Sequence, residues 1–124
     1  MFTIDQMEVM LDEIAEEIPQ ACYKDLNGGI LLLPDLKWHP GRRSDDLYIM
    51  GEYHNSPIYG KYIVIYYGSF RQAYGHLPEV LLRKQLKKTL CHEFLHHLET
   101  LAGVRDLAKK DAEDMKKYLQ RYDR

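Results

Sequence analysis

The chain has 124 residues, a hydrophobic fraction of 45% and a formal net charge of -2. This length predicts one domain with one hydrophobic core, spanning residues 1–124. The charge shows no basic excess of the kind that nucleic-acid-binding domains carry, so we expect no nucleic-acid partner. The two cysteines, Cys22 and Cys91, are too few for a disulfide framework, and we expect Cys91 to be a buried, reduced thiol.

The first residues do not have the pattern of a secretory signal. Acidic side chains, among them Asp5, Glu8 and Asp12, interrupt any apolar run. No segment has the apolar length of a membrane span. We therefore expect a soluble, cytoplasmic protein without a membrane partner, and the sequence leaves its oligomeric state open.

An amphipathic helix is predicted from Asp5 to Ile18. Its apolar residues are spaced three and four apart, as on one face of a helix: Ile4, Met7, Leu11, Ile14 and Ile18. We expect Thr3 or Asp5 to cap its start and Pro19 to end it. Its other face is strongly acidic and is expected to be solvated.

Three short strands are predicted next, and their ranges are Ile30 to Leu33, Leu47 to Tyr53 and Tyr62 to Tyr67. The third is the strongest because its residues are all β-branched or aromatic. The second and third are close enough to pair as a hairpin. His39, in the loop before the second strand, could reach a metal, but it is interpreted as a surface residue. Residues from Gly68 to Leu77 are predicted to be irregular.

A long helix is predicted from about Pro78 to Ala102, followed by a last helix from Leu107 to Tyr122. Apolar residues recur at helical spacing along the long helix: Leu86, Leu90, Phe94, Leu98 and Leu101. Gly103 is expected to end it. The basic residues of its first half are expected to be solvated or to face the acidic first helix. The whole predicts an α+β fold, a small and mostly antiparallel sheet with helices packed on one face.

The long helix carries the motif H-E-x-x-H as His92, Glu93 and His96. Residues four apart lie on one helix face, roughly 5–6 Å apart at their Cβ atoms, so the two imidazoles can close on one metal ion. Zinc accepts imidazole nitrogen at about 2.0–2.1 Å. Glu93 lies about 100° round the helix, which suits a general base acting on a metal-activated water. Both histidines fall on a different side from the apolar stripe, which favours a metal site over a packing role.

A zinc site of this kind needs a third protein ligand. The long motif H-E-x-x-H-x-x-G-x-x-H would place it at position 102, but that residue is alanine. A G-x-x-D pattern follows one helical turn later and ends at Asp106, which is our first choice. The alternative for Asp106 is a plain N-cap of the last helix. Glu99 is the alternative, either as a ligand or as a hydrogen-bond partner of a ligating imidazole. Carboxylates of the last helix are more distant candidates: Asp111, Glu113 and Asp114. His97 has a different helical angle and is interpreted as a supporting or surface residue.

These residues resemble the small, single-domain bacterial metallopeptidases with a minimal zincin-like fold. Four stretches carry the resemblance: Leu26 to Ile30, Tyr48 to Tyr53, Tyr62 to Phe70 and, above all, His92 to Asp106. The resemblance implies a zincin-like fold and zinc-peptidase activity. It also implies that His92, His96 and Asp106 are zinc ligands and that Glu93 is the base. In such folds an extended substrate lies along a strand edge, and the strand from Tyr62 to Tyr67 is a candidate for that edge.

The sequence therefore predicts a zinc-dependent metallopeptidase that acts on a peptide or protein substrate. Tyr66, Tyr67 and Tyr74 are candidates to stabilise the oxyanion. One alternative is a non-catalytic, zinc-stabilised protein-interaction module, because the chain is short for a protease and has an acidic and a basic helical face. Another alternative is a zinc hydrolase with a non-peptide substrate.

Overall fold

The computed structural model describes residues 2–40, 47–103 and 109–123. Within these ranges the chain forms four α-helices, one short 3-10 helix and a three-stranded sheet. In chain order the main elements are α1 (Ile4–Glu17), β1 (Gly29–Leu33), β2 (Gly51–Ser56), β3 (Gly60–Tyr66), α2 (Tyr67–Tyr74), α3 (Glu79–Gly103) and α4 (Lys109–Tyr122). The predicted α+β class and the three strands are confirmed.

The first helix begins at a capping box. The backbone N–H of Gln6 donates to Oγ1 of Thr3 at 3.1 Å, and the N–H of Thr3 donates to Oε1 of Gln6 at 2.8 Å. Thr3 is therefore the cap, and Asp5 lies in the first turn. Ile18 leaves the helical conformation, because the residue before a proline is pushed toward extended backbone.

The sheet has the order β1-β3-β2, with β3 in the centre. Strands β2 and β3 form the predicted antiparallel hairpin, but β1 runs parallel to β3. The expectation of a mostly antiparallel sheet was therefore wrong, and the sheet is mixed. No hairpin turn joins β1 to β3, so packing sets the direction of β1. The second strand also begins later than predicted, at Gly51, because Tyr48 pairs with Trp38 in a separate bridge.

The stretch from Gly68 to Leu77, predicted to be irregular, begins inside helix α2. Glycine and serine at its start weaken the helical pattern in the sequence, yet Phe70 is fully buried. Gly68 donates its N–H to the carbonyl of Asp35 at 3.0 Å. A Cβ at position 68 would lie 2.7 Å from the carbonyl carbon of Asp35. Position 68 requires glycine because the backbone of α2 approaches the backbone at Asp35 closely.

The hydrophobic core lies between the inner face of the sheet and the helices. It joins Ile63 and Ile65 of β3 to the apolar faces of α1, α3 and α4. Cys22 and Cys91 are free, buried thiols, as expected for Cys91.

The basic half of α3 faces the acidic side of α1. Nη1 of Arg83 lies 2.8 Å from Oε2 of Glu13, and Nζ of Lys87 lies 2.9 Å from Oε2 of Glu17. This confirms the prediction that the basic residues of α3 face the acidic first helix. Partly exposed pairs of this kind contribute at most about 1 kcal/mol each, so their main effect is to orient the two helices.

Helix α3 contains 25 residues and ends at Gly103, close to the predicted bounds. Charged and polar side chains lie between its apolar residues in the sequence along its whole length. Within the described ranges, no helix combines the length and the apolar character needed to cross a membrane.

Candidate metal centre

Helix α3 brings the two motif histidines together. Nε2 of His92 lies 3.1 Å from Nε2 of His96, and the ring centroids are 4.7 Å apart with an interplanar angle of 88°. Two nitrogens bound to one tetrahedral zinc ion at about 2.0–2.1 Å would be about 3.3 Å apart. The side chains are 51% and 48% exposed, so their nitrogens are accessible from solvent. The spacing therefore fits a shared metal ion.

The outer nitrogens of both rings lie near carboxylates. Nδ1 of His92 is 3.1 and 3.2 Å from the two oxygens of Asp123, and Nδ1 of His96 is 3.8 Å from Oε2 of Glu99. Ligating histidines commonly have such a partner on the nitrogen that does not bind the metal. Glu99 lies on the side of the outer nitrogen of His96, as its predicted supporting role requires, but its nearest oxygen is beyond hydrogen-bond distance.

Glu93 is buried beside the histidine pair, with 6% of its surface exposed. The pKa of its carboxyl group is raised to about 7, and burial is the main cause. The nearby His92 lowers this pKa by a smaller amount, whereas the carboxylates of Glu52 and Asp123 raise it further. An acid–base group works best when its pKa is close to the working pH. In the metal-free protein, Glu93 is therefore tuned to exchange a proton near neutrality.

The histidine pair and Glu93 line a cleft of about 640 Å³. Residues of β2 form its opposite wall, from Gly51 to His54. The prediction that the strand from Tyr62 to Tyr67 supplies the substrate edge was wrong, because β3 is paired on both sides. Strand β2 is an edge of the three-stranded sheet, and it lies beside α3. The apolar character that made β3 conspicuous in the sequence reflects its central position.

A second hollow of about 340 Å³ adjoins the cleft and shares His39, His92 and Glu93 with it. His39 was interpreted as a surface residue, and it is exposed, but it lines both hollows. Its backbone N–H donates to the carbonyl of Leu47 at 3.0 Å. Pairing between two loop segments places this side chain, and no local pattern in the sequence indicates that pairing.

Glu52 on β2 is held as an anion at the cleft wall. Nζ of Lys37 lies 2.7 and 2.9 Å from its two oxygens, and the hydroxyl of Tyr66 donates to it. Burial alone would raise the pKa of Glu52, but the hydrogen bonds from Lys37 and Tyr66 outweigh burial and lower it.

The hydroxyl of Tyr67 donates to the carbonyl of Phe2 at 2.8 Å. Of the three predicted oxyanion candidates, Tyr74 is the one that lines a hollow next to Glu93.

His97 is fully buried and connects three parts of the fold. Its Nε2 lies 2.7 Å from the carbonyl of Lys24, and its Nδ1 lies 2.8 Å from the hydroxyl of Tyr53. A carbonyl can only accept, so Nε2 donates to it and Nδ1 accepts from Tyr53. Burial lowers the pKa of His97 and so favours this neutral form. Of the two interpretations of His97, the surface position was wrong, because this buried side chain holds β2 against α3.

The predicted third ligand, Asp106, lies outside the described residues, as does the side chain of Asp111. Glu113 and Asp114 are exposed on α4. Within the ranges 2–40, 47–103 and 109–123, no group of three or more histidine, cysteine, aspartate or glutamate side chains is arranged to hold a metal ion. The described part of the centre thus consists of two imidazole donors and their outer carboxylates. Asp123 was not foreseen, because only the packing of α4 brings it to His92.

Neither a protein-family model nor a curated protein matches this chain. Among solved structures, the chain is similar to a conserved hypothetical protein from Thermus thermophilus. The two share 29% sequence identity and a TM-score of 0.68, over 82% of this chain and 98% of the other. The likeness supports the α+β architecture over most of the chain, and the description of that protein states no activity.

Proposed function

We propose that this protein is a zinc-dependent metallopeptidase of zincin-like fold. The observation that carries the proposal is the approach of two imidazole Nε2 atoms to 3.1 Å at an open cleft, with a buried carboxyl group beside them. In this proposal His92 and His96 bind zinc, Asp106 supplies the third ligand and Glu93 is the general base. The resemblance of the H-E-x-x-H stretch to small bacterial metallopeptidases also supports this assignment.

Zinc, when bound, would polarise the scissile carbonyl and lower the pKa of water toward about 7. Glu93 accepts a proton from the attacking water and then donates it to the leaving amine. In the metal-free protein burial raises the pKa of Glu93, which makes its carboxylate a stronger base than an exposed one.

The substrate in this proposal is an extended peptide that lies along β2. An edge strand offers unpaired backbone N–H and C=O groups, and an extended peptide can pair with them. Strand β2 lines the cleft opposite His92 and His96, so a paired peptide would pass close to both imidazoles. The hydrogen bond between His97 on α3 and Tyr53 on β2 holds this strand next to α3.

The open cleft favours an enzyme over an interaction module. Structural zinc sites are closed by four protein ligands, whereas catalytic sites keep one position free for water or substrate. The histidine pair opens into about 640 Å³ of accessible space. That volume is within the range of small-ligand clefts and accommodates a few residues of an extended peptide.

The test compares the zinc-loaded wild type with Glu93→Gln on a peptide library analysed by mass spectrometry. We expect cleavage by the wild type, a loss of at least about 100-fold in Glu93→Gln, and equal zinc content in both. Glu16→Gln is the matched control. It makes the same substitution at an exposed glutamate of α1, which is distant in sequence from the H-E-x-x-H motif.

Two results would contradict the peptidase. Glu93→Gln with undiminished cleavage would remove Glu93 from the mechanism and indicate a contaminating protease. A zinc-loaded wild type that cleaves no peptide would favour the interaction module or a non-peptide substrate.

A further inference from the structure

The carboxylate of Asp123, one residue beyond α4, contacts the ring of His92 on the side away from His96. Its two oxygens lie 3.1 and 3.2 Å from Nδ1 of His92. Nε2 of the same ring lies 3.1 Å from Nε2 of His96. One imidazole therefore has a carboxylate at one nitrogen and the proposed metal position at the other.

This contact decides which nitrogen of His92 carries the proton. An ionised carboxylate can only accept a hydrogen bond, so the neutral ring donates from Nδ1 to Asp123. Nε2 then keeps the lone pair that a metal ion needs. Without the carboxylate, the ring would divide between two tautomers, and only one of them presents a free Nε2.

The end of α4 is held firmly enough for Asp123 to have this effect. The hydroxyl of Tyr118 donates to the carbonyl of Glu17 at 3.0 Å. Nζ of Lys87 lies 3.8 Å from the ring centroid of Tyr122 and 2.9 Å from Oε2 of Glu17. These contacts anchor the last turn of α4 to α1 and α3, so Asp123 is placed by packed residues.

Glu99 gives His96 weaker support. Its nearest oxygen is 3.8 Å from Nδ1 of His96, beyond hydrogen-bond distance, and its side chain is 62% exposed. The side chain of Asp123 is 27% exposed and within hydrogen-bond distance of His92. Of the two carboxylates, Asp123 is therefore the one with the geometry to orient a ligand.

We propose that Asp123 is a positioning residue that fixes His92 in the Nδ1-protonated tautomer and so raises the affinity of the centre for zinc. This inference rests on the proposed function and adds that the C-terminal end of α4 is part of the metal centre. Removal of such an outer partner typically lowers metal affinity by about 10–100-fold.

The test uses the full chain with Asp123→Ala, Asp123→Asn and Tyr118→Phe. Zinc affinity is measured by competition with a chromophoric chelator. The protonated nitrogen of His92 is identified by nitrogen NMR on the metal-free proteins at mildly alkaline pH. We expect Asp123→Ala to weaken zinc binding by at least about 10-fold and to give mixed tautomers at His92. Asp123→Asn should lie between Asp123→Ala and the wild type, since an amide oxygen still accepts from Nδ1.

Tyr118→Phe separates positioning from helix docking. It removes one anchor of α4 and keeps the carboxylate, so zinc affinity should change less than in Asp123→Ala. Equal losses in both variants would overturn the positioning role and assign the effect to docking of α4. An unchanged tautomer and unchanged affinity in Asp123→Ala would also overturn it.

The NMR measurement stays decisive even if the proposed function fails. A wild type that takes up no zinc would reject the metal centre, but the tautomer of His92 in the metal-free protein would still be measured. A tautomer that depends on Asp123 would then uphold the orientation of His92 by Asp123 but not its effect on zinc affinity, and a tautomer that does not would reject both.

Discussion

At the scale of single residues, Glu93 links stability to pH. Burial raises the pKa of its carboxyl group from 4.5 to about 7 in the metal-free protein. The native state therefore holds a proton that the unfolded state releases at lower pH. The contribution of Glu93 to stability is fully present below pH 4.5 and is lost as the pH rises through about 7.

Glu93→Gln should remove this dependence on pH. With zinc removed by a chelator, we expect the variant to be more stable than the wild type by about 2–3 kcal/mol above pH 7 and similar to it near pH 4. Urea unfolding at a series of pH values measures the difference. A constant difference across the whole range would show that Glu93 does not titrate in this window.

His96 and His97 are neighbours in sequence with opposite roles. His97→Ala should lower the free energy of unfolding by about 2–4 kcal/mol, because it leaves the carbonyl of Lys24 and the hydroxyl of Tyr53 without their partner. His96→Ala, at a half-exposed position, should change the stability of the metal-free protein by less than about 0.5 kcal/mol. Chemical denaturation of both variants in chelator measures the contrast. Equal effects would contradict the assigned roles.

The motif histidines could be found from the sequence because a helix fixes the spacing of its own residues. The residues that join them from other segments, Asp123 and His39, could not be placed there, because tertiary contacts bring them to the site. Asp123 lies 31 residues from His92, and His39 reaches the cleft through the pairing of two loop segments. The buried state of His97 depends on Tyr53 and Lys24, which no helical pattern reveals.

At the scale of elements, Gly68 near the start of α2 and Gly103 at the end of α3 differ in the space around their Cα atoms. Gly68→Ala would place a Cβ 2.7 Å from backbone atoms of Asp35 and Leu36. We expect it to destabilise the protein by on the order of 1–3 kcal/mol, since backbone atoms cannot move aside as a side chain can. Among the described residues, a Cβ at position 103 meets no atom within 4 Å, so Gly103→Ala should be neutral or stabilising by up to about 1 kcal/mol.

Thermal or urea unfolding compares these two variants directly. Loss of stability in Gly103→Ala would contradict the open space that the described residues leave around position 103. Unchanged stability in Gly68→Ala would show that α2 can shift away from the segment that contains Asp35.

Helix α1, the hairpin of β2 and β3, and helix α3 could be predicted because each has a strong local pattern or a short connection. The parallel pairing of β1 and the start of β2 depend on tertiary contacts. Helix α2 was missed because its first residues are poor helix formers that serve the approach to Asp35. The errors fall where packing between distant segments decides the structure.

At the scale of the whole molecule, zinc binding should stabilise the fold. A ligand at 100 times its dissociation constant adds about 2.7 kcal/mol to the free energy of unfolding. For a chain of 124 residues, this corresponds to a rise of about 10 °C in the midpoint of thermal unfolding. Scanning fluorimetry with added zinc should show the rise in the wild type and not in His92→Ala. A rise of equal size in both would locate the binding elsewhere.

The most direct test of the metal centre is elemental analysis of the purified protein. The wild type, His96→Ala and Asp106→Ala should be compared under identical purification. We predict near-stoichiometric zinc in the wild type and its loss in both variants. Zinc retained in Asp106→Ala would assign the third ligand to another residue. No metal in the wild type, and none taken up from added zinc, would contradict the account and leave the approach of His92 and His96 without a functional meaning.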